Sequence, residues 1–353
     1  MINFEPDYKN IQDAAFNRTA KRMPLYEHLV NDDFMEVVLG KKFSDLRHGN
    51  LRDKEEFFTY YCEFYKRFGY DAVSFEHCLS EMLPHGGLLG GHGTSVLQTY
   101  EDFEKYPWDE LCDMYFDKFS ESFQALGNVL PPGMKAVGGV GNGVFEAVQE
   151  ITGFQHLAYI SCDDPEMYEG LFKRMGDVSL EIWTRFMKEF GDIYCVLRFG
   201  DDLGYKTNTL LAADDIRRYV IPEYRRVVDL VHSYNKPFLL HSCGNLFEIM
   251  PDIIRYAKID AKHSNEDIIG RFPVWVRDYK IGNFGGIDTD ALCSLSPQQV
   301  REYVLDVLRE CELCDNPGGI AFGSGNSIPG YINLDNYLEM INTVREYRGE
   351  FST

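Results

Sequence analysis

Short apolar runs alternate with helix-length segments over most of the chain. Eight such runs predict strands, at residues 71–76, 134–140, 156–161, 193–199, 237–243, 258–264, 280–286 and 318–325. Amphipathic stretches such as 165–191 and 213–235 separate them, with apolar residues at helical spacing. Near-continuous apolar strands that alternate with helices indicate a parallel sheet covered by helices. Eight such units predict an α/β fold of the closed (β/α)8, or TIM-barrel, type.

The first part of the chain has a different pattern. Residues 1–69 are rich in polar residues, have helical spacing and contain no strong strand candidate. We therefore expect two parts: an N-terminal helical extension over residues 1–69, packed on a barrel formed by residues 70–353. No G-x-G-x-x-G motif follows the first predicted strand, which argues against a dinucleotide-binding sheet.

Composition narrows the range of partners. The chain has 353 residues, of which 44% are hydrophobic, so it can bury a large core. Its formal net charge of -21 disfavours nucleic acid and anionic membranes as partners. The partner that we expect is a small-molecule substrate. The start of the sequence lacks a signal-peptide pattern, and the nine cysteines show no disulfide framework. These features predict a cytoplasmic protein with reduced thiols; they leave the oligomeric state open.

Polar residues concentrate where the predicted strands end. In a barrel, the carboxyl ends of the strands form the active site. The candidates for substrate binding are Glu76, His77, Arg198, Asn326 and Ser327, and those for catalysis are Asp201, Asp202 and His263. A glycine-rich segment, residues 77–100, follows the first strand and is a candidate for a lid or a substrate wall.

His241 and Cys243 are the candidate metal ligands. They follow the apolar strand residues 238–240, and residues two apart on a strand point the same way. An imidazole and a thiol on one face can share a metal ion, and zinc is the ion that this pair favours.

Several segments resemble the uroporphyrinogen decarboxylase superfamily, and within it the branch of cobalamin-dependent methyltransferases. The resemblance covers residues 130–348 and rests on D-D-x-G at 201–204, H-x-C-G-N at 241–245, G-G-I-D at 285–288 and G-x-x-I-P at 325–329. It implies a (β/α)8 barrel with an N-terminal helical extension. In that branch, zinc activates a thiol, which takes a methyl group from a corrinoid carried by a partner protein.

The resemblance also implies a set of zinc ligands. His241 and Cys243 match two of them, whereas the second cysteine of the family pattern is replaced by Asn326. A nearby side chain could complete the site, and the candidates are Glu76, His77, Asp202, His263 and Glu266. We also expect Arg198 to pair with Asp201 and Asp202 and to keep their pKa values low.

Two other functions stay open at this point. The runner-up is a decarboxylase that acts on a porphyrinogen-like or smaller polycarboxylate, with Asp201 or Asp202 orienting the substrate and no metal. The N-terminal arginine motif of authentic uroporphyrinogen decarboxylases is absent from residues 17–22, which counts against this activity. The third is a non-catalytic barrel that binds a corrinoid or another small ligand.

Overall fold

A parallel sheet of seven strands forms the centre of the protein. The computed structural model describes residues 4–91, 97–316 and 318–350. The strands pair in chain order, β1 with β2 and so on to β7. They are β1 Ala72–Cys78, β2 Lys135–Gly141, β3 Tyr194–Gly200, β4 Phe238–His241, β5 Ala261–His263, β6 Gly282–Ile287 and β7 Ile320–Ser324.

Helices cover the outer face of this sheet and form the N-terminal part. They are α1 Lys9–Ala15, α2 Asp32–Leu39, α3 Leu51–Arg67, α4 Tyr100–Lys105, α5 Leu111–Val129, α6 Val144–Thr152, α7 Phe154–Asp163, α8 Pro165–Glu189, α9 Ala213–Asp215, α10 Ile221–Ser233, α11 Met250–Asp252, α12 Phe272–Asp278, α13 Thr289–Ser294, α14 Pro297–Glu312 and α15 Leu334–Tyr347. Capping boxes at Asn50 and Ser296 fix the starts of α3 and α14. Within the described ranges, no helix is both long and apolar enough to span a bilayer.

The third predicted strand, at residues 156–161, is wrong: this run belongs to α7. Leu157 and Ile160 are buried, whereas Tyr159 between them is 57% exposed. Burial that recurs after three residues is the helical pattern, which a short apolar run does not distinguish from a strand. The described residues therefore contain a curled parallel sheet of seven strands in place of the predicted eight-stranded barrel.

The curl of the sheet produces two separate cores. The large outer core lies between the strands and the helices. The small inner core collects side chains from all seven strands, from α1 and, through Tyr26, from the segment between α1 and α2: Ile11, Ala14, Ala15, Tyr26, Ala72, Val137, Cys195, Val196, Leu239, Ala261, Phe284 and Ala321. Helix α1 packs against this inner face, so it covers the end of the sheet opposite to the strands' carboxyl ends.

Residues 24–30 run alongside β7, although the sequence predicts no strand there. Leu25 and Val30 form parallel bridges with Phe322 and Ile328. A β-carbon at Gly323 would collide with the carbonyl of Tyr26, so glycine permits this close approach. On its other side, the segment contacts β1, since Ser74 Oγ donates to the carbonyl of His28. The segment therefore links the two edge strands.

Side chains alternate along this segment. Tyr26 contacts Phe284 and His263 of the inner face, and His28 contacts His241. Glu27 points the other way and is fully buried beside Ser324 and Tyr70.

Glu27 is held as a neutral acid. Burial raises the pKa of its carboxyl from 4.5 to about 8. The Ser324 hydroxyl has one proton but contacts both the Glu27 carboxyl and the carbonyl of Asn326. Both contacts can be hydrogen bonds only if Glu27 is protonated. Its carboxyl then donates to the Ser324 hydroxyl, and that hydroxyl donates to the carbonyl of Asn326. The proton on Glu27 thus connects residues 24–30 to the loop after β7.

Glu27→Gln is expected to flatten the pH dependence of stability. The folded chain holds the Glu27 proton more tightly than the unfolded chain, so the wild type loses stability as the pH rises from about 4.5 to about 8. From about pH 5 to pH 8, the free energy of unfolding should fall on the order of 2–4 kcal/mol more in the wild type than in Glu27→Gln. Urea titrations at several pH values measure this difference, and parallel profiles would contradict it.

Candidate metal and active site

The inward side chains change from apolar to polar along each strand. Residues two apart share a face, so the inner-core residues Leu239 and Ala261 are followed by His241 and His263. The same alternation on β1 and β3 turns Glu76 and Arg198 to the inner face, where the two side chains meet. The carboxyl ends of the strands therefore carry a buried polar layer above the inner core.

Arg198 lies at the centre of this layer and is fully buried. Its Nε and Nη2 donate to the Glu76 carboxylate over 2.9 and 2.8 Å. Its Nη1 donates to the hydroxyls of Tyr26 and Ser74 over 2.6 and 2.8 Å and to the carbonyl of His28 over 3.1 Å. One guanidinium thus connects β3, β1 and residues 24–30.

The expected pairing of Arg198 with Asp201 and Asp202 is therefore wrong. Asp201 is fully buried, and its carboxylate accepts the backbone N–H groups of Phe145 and Glu146, over 3.0 and 2.7 Å, and the hydroxyl of Tyr224. It caps the first turn of α6, where backbone donors lack helical partners. Burial raises the pKa of Asp201 instead of leaving it low. The structure places this predicted catalytic residue in the packing behind the site.

Glu146 is a site residue that the sequence reasoning missed. Its Oε1 accepts the Asp202 backbone N–H over 3.3 Å, and its Oε2 accepts the side chain of Asn142 over 2.8 Å. Burial and the charge of Asp201 raise its pKa. Its position in the first turn of α6, just after the carboxyl end of β2, could have indicated a site residue. In the sequence, however, Glu146 also fits the polar face of an amphipathic helix.

The orientation of His241 is fixed by a chain of hydrogen bonds. His263 Nε2 donates to the carbonyl of Ser324 over 3.1 Å, so in the neutral ring its Nδ1 is an acceptor. His241 Nδ1 lies 2.7 Å from this atom and must donate. Burial lowers the pKa of both histidines, that of His263 to about 3, so both rings are neutral at pH 7. His241 Nε2 therefore carries a lone pair.

That lone pair faces Cys243 and Asp202. His241 Nε2 lies 3.5 Å from Cys243 Sγ and 3.8 Å from Asp202 Oδ1. A tetrahedral zinc ion with bonds of about 2.0–2.3 Å separates its ligand atoms by roughly 3.3–3.6 Å. The three side chains form a candidate metal group whose ligand atoms all lie within 4.8 Å of one another. Of the five side chains proposed from the sequence to complete the site, Asp202 is the one in this group.

Asn326 and Ser264 complete the surroundings of the thiol. Asn326 Nδ2 and Ser264 Oγ each lie 3.5 Å from Cys243 Sγ, and the Cys243 backbone N–H donates to Asp202 Oδ1 over 2.8 Å. Burial and the charge of Asp202 raise the pKa of Cys243, so the free thiol keeps its proton. A bound cation would reverse this preference and favour the thiolate.

His28, His241 and His263 form a second group of potential ligands. The rings of His28 and His241 are stacked, with centroids 3.7 Å apart and planes within 4° of parallel. An imidazole binds a metal through a lone pair in the plane of its ring, and two parallel planes cannot both contain one ion. The 2.7 Å contact between His241 and His263 also leaves no room for an ion between them. As they stand, these histidines are not a metal site.

The remaining candidates separate into two places. His77 faces the helix layer, where its ring stacks on Phe119 at 4.1 Å and contacts Glu81, so it does not reach the site. Glu76 and Ser327 both line a cavity of about 340 Å³ at the β1–β7 edge, together with Arg47. The structure therefore brings these two predicted substrate residues together.

This arrangement defines an α/β protein in which a His–Cys–Asp group that could hold a metal ion lies at the carboxyl ends of the parallel strands. The family model "Uroporphyrinogen decarboxylase (URO-D)" matches residues 51–347. The chain therefore belongs to the uroporphyrinogen decarboxylase family, as its motifs predict.

A solved structure with a TM-score above 0.5 supports this fold. A methyltransferase from Methanosarcina mazei is similar with a TM-score of 0.70 and 14% identity, over 97% of this chain and 99% of that one. Two others are more distant. The IOLI protein with a bound zinc atom has a TM-score of 0.40 and 12% identity, over 88% of this chain and 98% of that one. A xylose isomerase-like TIM-barrel protein from Mycobacterium smegmatis in complex with magnesium has a TM-score of 0.37 and 10% identity, over 92% of this chain and 97% of that one. No protein of curated function matches the sequence.

Arg198→Met is expected to destabilise the protein by about 3–5 kcal/mol, because it leaves Glu76 buried without its cation. Adding Glu76→Gln should recover part of this loss. Adding Asp202→Asn should not, since Asp202 has no contact with the guanidinium. Urea unfolding of the single and double variants measures the coupling. Equal coupling to Asp202 would show that Arg198 is shared between the two carboxylates.

Proposed function

We propose that the chain is a methyltransferase of corrinoid-linked one-carbon metabolism, with a metal held by His241, Cys243 and Asp202. The observation that carries this proposal is the convergence of three side chains: His241 Nε2 lies 3.5 Å from the Cys243 thiol and 3.8 Å from the Asp202 carboxylate, and the three ligand atoms lie within 4.8 Å of one another. Membership of the uroporphyrinogen decarboxylase family and the likeness in fold to a methyltransferase are consistent with it.

The donor set suits zinc better than a hard cation. Nitrogen and sulfur ligands with one carboxylate are typical of zinc, and three protein ligands leave a fourth position for a substrate, as in catalytic zinc sites. His263 acts as the outer partner that holds the ring of His241 in its binding tautomer. When bound, the metal would lower the pKa of an acceptor thiol and present it as a thiolate.

Methyl transfer to that thiolate balances without an added oxidant or reductant. The sulfur lone pair forms the new bond to the methyl carbon. The bond between that carbon and the donor breaks, and its electron pair stays on the donor. A methylated corrinoid on a partner protein is the proposed donor, because it would keep this electron pair when the methyl group leaves.

The chain's own residues supply the setting for this reaction. Asp202 is fixed at both ends, because its backbone N–H donates to Glu146 and its Oδ1 accepts from Cys243. The amide of Asn326 and the hydroxyl of Ser264 lie at the sulfur of Cys243, where hydrogen bonds stabilise a thiolate. The side chain of Asp202 is 41% exposed, so the site is open to a ligand.

Metal analysis tests the proposal. Protein purified without a histidine tag, or reloaded with zinc, should hold close to one zinc per chain and lose it in His241→Ala. With zinc bound, added methylcobalamin and a thiol should show demethylation of the corrinoid in the visible spectrum, whereas His241→Ala should not. A metal-free protein that shifts the spectrum of an added porphyrin would favour the decarboxylase, and the absence of metal and of both activities would leave a binding protein.

Asn326→Cys should raise the affinity for zinc at least tenfold, by about 1.4 kcal/mol or more. Asn326 lies at the sulfur of Cys243, so a thiolate at this position can become a further ligand. Ser327→Cys is the matched control, because it adds a thiol one residue away, and it should leave the affinity near that of the wild type. Isothermal titration with zinc measures all three proteins. Equal affinities of Asn326→Cys and the wild type would contradict the assignment of position 326 to the metal site.

A further inference from the structure

His28 is a buried polar ring whose nitrogens lack hydrogen-bond partners among the described residues. The residue is 6% exposed, and its Nδ1 is enclosed without a partner. A buried hydrogen-bonding group without a partner costs free energy, so natural structures contain few of them. An apolar aromatic ring would pack against His241 without this cost. Stacking on His241 therefore does not explain why the ring at position 28 carries nitrogens.

The position of His28 points to a ligand as the partner of its other ring nitrogen, Nε2, which is not enclosed. Its ring is nearly parallel to that of His241, and the centroids are only 3.7 Å apart, so the two rings overlap with little lateral offset. One ring nitrogen of His28 lies within 4.8 Å of one ring nitrogen of His241 and of one of His263. A molecule that occupies the open position of a metal on His241 would therefore lie within reach of the edge of His28.

The backbone around His28 fixes this placement. Its carbonyl accepts from Arg198 Nη1 over 3.1 Å and from Ser74 Oγ, and the neighbouring Glu27 is bonded to Ser324. Residues 24–30 are thereby tied to β1, β3 and β7, and the imidazole is rigidly presented on the site side. Its plane, parallel to that of His241, excludes it as a ligand of the same metal ion.

We propose that His28 is a substrate-contacting residue, whose Nε2 donates a hydrogen bond to the sulfur of an acceptor thiol at the metal. This inference rests on the proposed function, because it requires the metal at His241, Cys243 and Asp202. It assigns part of the acceptor site to the N-terminal segment, which the motifs at the strand ends do not include.

His28→Phe tests the proposal, because phenylalanine retains the stacked ring and removes both nitrogens. Co²⁺ replaces zinc as a coloured probe of the metal site, and 2-mercaptoethanol serves as the thiol. We expect the affinity of His28→Phe for Co²⁺ to lie within about threefold of that of the wild type, and its affinity for the thiol to be at least tenfold lower. The thiolate-to-cobalt absorption measures the binding of the thiol. His28→Gln, which restores an N–H donor, should recover part of the thiol affinity and provides a second variant if His28→Phe does not fold.

His77→Phe is the matched control. His77 is also a nearly buried histidine stacked on an aromatic ring, with its Nε2 enclosed and without a partner, but it lies in the helix layer. It should leave both affinities unchanged. Equal thiol affinities of wild type and His28→Phe would overturn the role of His28 alone. Loss of Co²⁺ from His28→Phe would also overturn the proposal, because the substitution would then act on the metal group itself and not on the bound thiol. A wild type that binds no Co²⁺ would overturn the proposed function together with this inference.

Discussion

The buried guanidinium of Arg198 is the interaction on which the carboxyl end of the sheet depends. A cation removed from water requires a carboxylate and further acceptors, and the structure supplies Glu76, two hydroxyls and one backbone carbonyl. These acceptors belong to β1 and to residues 24–30. Satisfying one charge therefore fixes the strand that carries Glu76 and the segment that carries Tyr26 and His28. The same contacts determine which surface His241 stacks on.

The second constraint is the neutrality of the buried histidines. In water, either ring nitrogen of His241 could carry the proton. Inside the protein, the carbonyl of Ser324 can only accept, so it sets the tautomer of His263, which in turn sets that of His241. The lone pair at Nε2 is thus a consequence of one backbone carbonyl on β7. Cys243 and Asp202 bring a sulfur and an oxygen close to this lone pair, so the three atoms together form a candidate metal group.

The replacement of the family's second cysteine by Asn326 changes the charge of the site more than its shape. The asparagine side chain still reaches the sulfur of Cys243, but as a hydrogen-bond donor. Asp202 supplies the negative charge that a second thiolate would provide. A carboxylate is a harder ligand than a thiolate, so we expect the site to hold zinc less tightly than a His–Cys–Cys site.

The sequence by itself determined the parallel α/β architecture, the positions of seven strands and the family, because long apolar runs, helix spacing and local motifs are properties of neighbouring residues. It also indicated His241, Cys243 and Asp202, since strand ends are recognisable in the chain. It could not distinguish the run at 156–161 from a strand, because a short apolar segment fits both periods until its packing is known. The partners of Arg198, the capping role of Asp201, the approach of Glu146 and the stacking of His28 were decided only by the tertiary structure. Each of these contacts joins residues far apart in the chain, and the burial of a charge or a ring nitrogen depends on what packs around it.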